Sequence, residues 1–174
     1  MPDYRYEALG DGLFVCTSTE HRFGTDAFLL NDFASPKKLD RVVDLGCGCG
    51  IIPLLMARDR LAQEIFGVEV QQQGFEQCML SVEKSGLHGY VKPVLCDLRR
   101  IKGVLPGGYF DIVTMNPPYK ASGRGIKSQR ESDVIARHET LCTLEDICQS
   151  ARYLLRFGGR LCLCHRPERL ADLI

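Results

Sequence analysis

Four short stretches carry the residues that could do chemistry. The stretch 111–125, DIVTMNPPYKASGRG, ends an apolar run in Asn116, Pro117, Pro118 and Tyr119, then turns abruptly to glycine and basic residues. An amide, two prolines and an aromatic ring are poor structural glue, so this is the first place to look for a reaction. Upstream, VVDLGCGCGIIPLL places Gly46, Gly48 and Gly50 between a strand and a helix, where bare backbone can approach a ligand and a helix N-terminus points at it. A dinucleotide fingerprint needs its third glycine at position 51, which is Ile51, so the G-x-G-x-G spacing disfavours NAD. Nineteen residues beyond Gly50, Glu69 closes the run IFGVE. A carboxylate there is either a solvated strand-end acid or, beside such a turn, an acceptor for both ribose hydroxyls. In CDL, Asp97 is a helix N-cap or an acceptor for an adenine amino group, with Leu98 against the ring.

The elements that must position these groups follow from periodicity. Strand-length apolar runs at Arg41–Leu45, Glu64–Val70, Tyr90–Leu95, Tyr109–Met115 and Arg160–His165 alternate with helical stretches at Ile51–Arg60, Gln71–Ser85 and Leu144–Phe157. The last helix is expected to stop at Gly158-Gly159. This alternation predicts an α/β fold, a doubly wound and mostly parallel sheet covered by crossover helices. Ahead of it, residues 4–17 read as a hairpin turning at Gly10-Asp11-Gly12, and Thr25–Phe33 as a helix started by Thr25 or Asp26. The glycine turn, Glu69, Asp97 and Asn116 then stand at four successive strand ends, where open α/β sheets bind ligands. Together they describe a pocket for an adenosine that carries something other than a pyrophosphate.

In that order, DLGCGCG, GVEV, CDL and NPPY resemble a class I S-adenosyl-L-methionine-dependent methyltransferase, with its Rossmann-like sheet. The NPPY form resembles enzymes that methylate planar amide or exocyclic nitrogens, in nucleic-acid adenine or in protein glutamine. Such nitrogens are weak nucleophiles, because the lone pair is spread into a ring or carbonyl. The Asn116 side-chain oxygen and the Pro117 carbonyl could accept the two amine hydrogens and aim the lone pair at a methyl group. Pro117 and Pro118 fix the backbone that presents those carbonyls, and Tyr119 offers a face on which a flipped base stacks. The resemblance implies a cofactor site of Thr25, Asp26, Asp44, Gly46, Gly48 and Gly50 from the N-terminal side and the turn. Glu69, Val70, Asp97, Leu98 and Asn116 complete it from the later strand ends.

Further stretches, HRFGTDAFLLNDFA and ARHETLCTLEDICQSARYLLRFGGRLCLCHRPERLADLI, with NPPYK, resemble the bacterial tRNA1(Val) adenine-N6 methyltransferases. That likeness implies an adenine amino group in tRNA as acceptor, with Phe23, Thr25 and Asp26 closing over the cofactor. Members of that family continue with more helix and a closing pair of strands, so the sheet is expected to be incomplete at its C-terminal end. The expected organisation is one methyltransferase domain over residues 1–174, C-terminally truncated, with a hairpin and helix extension over about 1–38. The remaining readings are a protein glutamine methyltransferase and a truncated cofactor- or RNA-binding module without turnover.

Composition bounds the partners. The 174 residues are 45% apolar, enough for one core, and Lys plus Arg equals Asp plus Glu at 22 each. Only the local charge distribution therefore bears on nucleic acid. Between 120 and 137, Lys120, Arg124, Lys127, Arg130 and Arg137 face Glu131 and Asp133, a basic excess of three. The first four are expected to meet RNA phosphates beside the base-accepting motif. No apolar run approaches a membrane span, no signal peptide is evident, and nine cysteines fit reduced thiols in a cytoplasm. Cys47 and Cys49, like Cys162 and Cys164, are spaced C-x-C and lack the spacing of a zinc site, so no metal is expected. The histidines are scattered, and hydroxyl-directed transfer would want a base or metal that the sequence does not display.

Overall fold

Val42 and Val43 are neighbours in β3 (Arg41–Leu45), point to opposite faces, and are both fully buried. That is why the run is continuously apolar: a parallel strand covered on both sides has no wet face to mark. In the computed structural model, which describes residues 3–19, 22–58, 60–117, 142–165, 167 and 171, β3 is the middle strand of five. The others are β4 (Glu64–Glu69), β5 (Val91–Leu95), β6 (Phe110–Met115) and β7 (Leu155–Leu163), all parallel in the order β5-β4-β3-β6-β7. The chain moves outward from β3 through β4 to β5, then crosses back to place β6 on the other side of β3. The crevice between the carboxyl ends of β3 and β6 is the switch point where such sheets take ligands.

Helices α1 (Thr25–Ala34), α2 (Ile51–Ala57) and α3 (Gln72–Lys84) cover one face around Val42, Ile65 and Ile112. Helix α4 (Leu144–Leu154) and a 3-10 turn at Leu98–Arg100 cover the other, around Val43, Phe110 and Val113. The antiparallel hairpin of β1 (Arg5–Gly10) and β2 (Leu13–Thr17) packs on the α3 side, with Leu13 and Val15 in the first core.

The amino-terminal rim of the sheet is held by charge. Asp111 accepts from the Arg41 backbone N–H at 2.8 Å and from the Arg41 and Arg156 side chains, tying β3, β6 and β7 together. Lys92 of β5 meets Glu64 of β4 at 2.5 Å, and the Tyr109 hydroxyl donates to the same carboxylate. Burial works against the charge on Asp111, but the Arg41 N–H and Arg156 hold its carboxyl below the usual range.

Four elements differ from the sequence-based expectation in a boundary or a cap. Helix α4 stops at Leu154, not Phe157, and Leu155–Phe157 already belong to β7, which starts five residues before the expected Arg160. The carbonyls of Tyr153 and Leu154 accept the N–H groups of Gly108 and Tyr109, which turns the helix end directly into the sheet. The Gly158-Gly159 pair forms an irregularity within β7, with Gly158 at φ +77°, instead of a helix cap. Helix α2 ends at Ala57, where the Arg60 N–H closes on the Ala57 carbonyl. The residue before α1 is Gly24, which makes no side-chain cap, so neither Thr25 nor Asp26 starts that helix as a cap.

Candidate functional site

The glycine turn is folded over the end of β4. Gly46 and Cys47 donate their N–H groups to the Val68 carbonyl at 2.8 and 3.0 Å, and Gly48 donates to Glu69 Oε2 at 2.8 Å. Gly50 has φ +85°, and a Cβ there would lie 2.6 Å from Cys78 Sγ of α3. Both the backbone and the space therefore require glycine at that position. At Gly48 no atom lies within 4 Å of a would-be Cβ, so this part of the turn faces open space.

Glu69 is 5% exposed and already engaged. Besides Gly48, its Oε1 accepts the N–H groups of Val70 and Gln71 at 2.9 and 2.8 Å. One carboxylate thus braces the glycine turn and the start of α3, and of its roughly four lone-pair sites about one is left for a ligand. Asp97 caps the 3-10 turn by accepting the Arg99 N–H at 2.9 Å, and it lines the cavity described below. The Arg99 side chain on its oxygens holds the Asp97 carboxyl below its ordinary range.

A cavity of about 380 Å³ opens at these strand ends. Gly46 and Gly48 of the turn, Glu69 and Val70 at the end of β4, Asp97 and Leu98 after β5, and Asn116 and Pro117 after β6 line it. Asp26 lines it from α1, beside Phe23. Of the other expected residues, Thr25 is exposed and outside the lining, and Gly50 is turned onto α3. Asp44 lies under the turn, 1% exposed, where Oδ1 accepts from the Thr114 hydroxyl at 2.6 Å and Oδ2 is buried without a hydrogen-bond partner. Burial pushes the Asp44 carboxyl up to about 7; Thr114 opposes the shift and nearby Glu69 adds to it. The thiols beside the turn are raised too: Cys49 to about 12 by burial, and Cys47 well up through its hydrogen bond to Cys78 and its burial.

Pro118, Tyr119, Lys120, Arg124, Lys127 and Arg130 lie outside the described residues, as do Glu131, Asp133 and Arg137. The lining also includes Arg22, Gln71, Cys96 and Cys142, which the sequence did not single out. Arg22 adjoins the noted Phe23, whereas Cys142 reaches the site only through the docking of α4 and carries no local signal. Among the described residues no group of three or more His, Cys, Asp or Glu side chains is placed to hold a metal ion. No helix among them is long and apolar enough to cross a membrane.

Known proteins resemble this chain in sequence and fold. The chain is 30% identical over 143 residues to the tRNA1(Val) (adenine(37)-N6)-methyltransferase of Yersinia pseudotuberculosis serotype O:3, covering 82% of this chain and 56% of that one. It is 26% identical over 151 residues to the protein of the same name from Trichodesmium erythraeum, covering 85% and 62%. The chain thus spans less than two thirds of the length of these relatives. A solved structure described as a predicted O-methyltransferase from Agrobacterium tumefaciens superposes with a TM-score of 0.64 at 25% identity, over 84% of this chain and 64% of that one. The family model described as "Methyltransferase small domain" matches residues 15–169, nearly the whole chain. By that match the chain belongs to the methyltransferase small domain family, whose methyl donor is S-adenosylmethionine.

Proposed function

We propose that the chain is the methyl-transferring part of an N-methyltransferase acting on the exocyclic amino group of adenine in structured RNA, with tRNA as the substrate. The observation that carries this is the position of Asn116 and Pro117. They line the same cavity as the glycine turn and Glu69, next to it across the switch crevice. The names of the tRNA-modifying relatives supply the acceptor class.

The residues present fit the cofactor. About 380 Å³ lies at the lower end of small-molecule sites, and the walls alternate bare backbone, apolar side chains and a few acids. Glu69 has acceptor capacity left for a ribose hydroxyl, Val70 and Leu98 offer apolar surface to the adenine, and Asp97 stands at that end as an acceptor. Beneath the turn, the buried Asp44 Oδ2 has no hydrogen-bond partner among the described residues. When bound, S-adenosylmethionine supplies an electrophilic sulfonium methyl group.

The protein's part is orientation. Asn116 through its side-chain oxygen and Pro117 through its carbonyl hold the two amine hydrogens, leaving the nitrogen lone pair directed into the cavity. The cofactor would supply the methyl group, and Asn116 and Pro117 would hold the nitrogen while it takes up that group and gives a proton to solvent, so no strong base is needed. Tyr119 stacks the base, and Lys120, Arg124, Lys127 and Arg130 take phosphates. On this reading residues 1–174 act as one methyltransferase domain, in the cytoplasm with its tRNA.

The test is transfer of labelled methyl from S-adenosylmethionine to unmodified bulk tRNA, followed by nucleoside analysis. Label in N6-methyladenosine is the expected result. Label in protein glutamine with none in tRNA overturns the RNA acceptor and leaves the cofactor site standing.

A further inference from the structure

Helix α3 carries an unusual stripe. Gln73, Gln77, Ser81 and Ser85 recur every four residues, and two of them, Gln77 and Ser81, are fully buried. Buried polar side chains on a helix need partners, and these find them in the backbone of β2. Phe14 N–H donates to Ser85 Oγ at 2.9 Å, and Cys16 N–H donates to Ser81 Oγ at 2.8 Å. Gln77 Nε2 donates to the Cys16 carbonyl at 2.9 Å, while its Oε1 accepts from the Ser18 hydroxyl at 3.2 Å. The match has a geometric cause. Four helical residues rise about 6 Å, close to the 6.6–6.8 Å of two strand residues, so a four-residue side-chain repeat keeps step with alternate residues of a strand. Side chains of α3 thus occupy the strand edge that β1 leaves open.

The same stripe reaches the pocket from two directions. Ser81 Oγ lies 2.9 Å from the Cys49 carbonyl in the glycine turn and 2.7 Å from the Gln77 carbonyl, its single proton serving both. Ser18, held by Gln77, accepts from Arg22 Nε through its carbonyl at 3.3 Å, and Arg22 and Phe23 form the N-terminal wall of the cavity. The turn also presses on α3 directly: a Cβ on Gly74 would lie 3.4 Å from Gly48 Cα and 3.1 Å from Glu69 Cγ.

We propose that Ser81 and Gln77 are positioning residues, through which α3 holds the N-terminal wall of the pocket and its glycine floor in one register. Neither touches the cavity; each acts through the backbone it fastens. The inference rests on the cofactor reading of the cavity and adds to it a device that couples the hairpin to the site.

The test compares wild type with Ser81→Ala, Ser81→Thr and Gln77→Met. The measurements are S-adenosylhomocysteine affinity by calorimetry, the split of KM for the cofactor against kcat, and amide hydrogen exchange. Ser81→Ala is expected to weaken S-adenosylhomocysteine and raise KM by about threefold to tenfold with kcat within about twofold, the scale of one lost buried hydrogen bond. Its Cys16 and Gly50 amides should exchange faster, and Ser81→Thr should restore both affinity and protection. In Gln77→Met only Cys16, Ser18, Arg22 and Phe23 should loosen. A general loss of stability would instead lower the folded fraction and leave KM unchanged. Folded Ser81→Ala with wild-type affinity and wild-type exchange at Gly50 overturns the proposal. Wild-type protein that fails to bind S-adenosylhomocysteine overturns the cofactor reading, and the Cys16 and Gly50 amides then decide the positioning role alone.

Discussion

Thr114 and Asp44 face each other in the β3–β6 register, and the Thr114 hydroxyl donates to Asp44 Oδ1 at 2.6 Å inside a layer closed to water. The pair sits directly under the glycine turn, so its protonation bears on both stability and site. Asp44 titrates at about 7 when folded, against 3.8 as its ordinary value. The folded state therefore binds a proton that the unfolded chain has released between those limits, and stability must fall as pH rises through that window. Asp44→Asn keeps the shape and the acceptor for Thr114 while removing the titration. The variant minus wild-type difference in unfolding free energy should climb from pH 4 to 8, by at most roughly 4 kcal/mol at 1.36 kcal/mol per unit. Denaturant melts at several pH values check this; a difference that stays flat refutes it.

Gly50→Ala meets two obstacles, a left-handed backbone and Cys78 Sγ at 2.6 Å from the new methyl group. The expected loss is about 1–3 kcal/mol of stability, accompanied by weaker S-adenosylhomocysteine binding as the turn shifts. Pairing it with Cys78→Ala should recover the steric part and leave the backbone part. Guanidinium unfolding of the single and double variants separates the two.

Asn116→Ala removes an acceptor assigned to the methylated base. Transfer to tRNA should fall by about a hundredfold or more, with S-adenosylhomocysteine affinity within a few-fold of wild type. Equal loss of both would move Asn116 from the acceptor to the cofactor.

The strands were readable wherever burial on both faces wrote a continuous apolar run, as at Val42-Val43 and Ile112-Val113. The start of β7 was not, because Leu155, Arg156 and Phe157 continue the helical spacing of α4 and two glycines follow them like a cap. Only the distant amides of Gly108 and Tyr109, which take the last carbonyls of α4, decide against the longer helix. The site divides the same way. Gly46, Gly48, Glu69, Asp97 and Asn116 each stand at a strand end, so their order along the chain already implied a common edge. Arg22 and Cys142 arrive there by tertiary docking, and the bracing of Gly48 by Glu69 pairs backbone with side chain, which leaves no mark in residue spacing.

Replacing Lys120, Arg124 and Lys127 together by alanine should weaken tRNA binding and flatten its salt dependence. On a duplex-like surface the slope of log affinity against log salt should drop by up to about 0.9 per lost phosphate contact. Binding measured from 50 to 200 mM salt tests this, and an unchanged slope removes these side chains from the RNA surface.

The two rims of the sheet are secured by different forces, so they answer to different agents. Asp111 with its two arginines and Glu64 with Lys92 are ion pairs, which added salt screens and acid discharges. The opposite rim relies mainly on backbone amides received by Glu69, a hydroxyl and glycine packing, with one ion pair of its own between Arg99 and Asp97. Thermal tolerance can therefore be redesigned at the rim remote from the ligand without re-aiming the site, because none of its ion-paired residues lines the cavity.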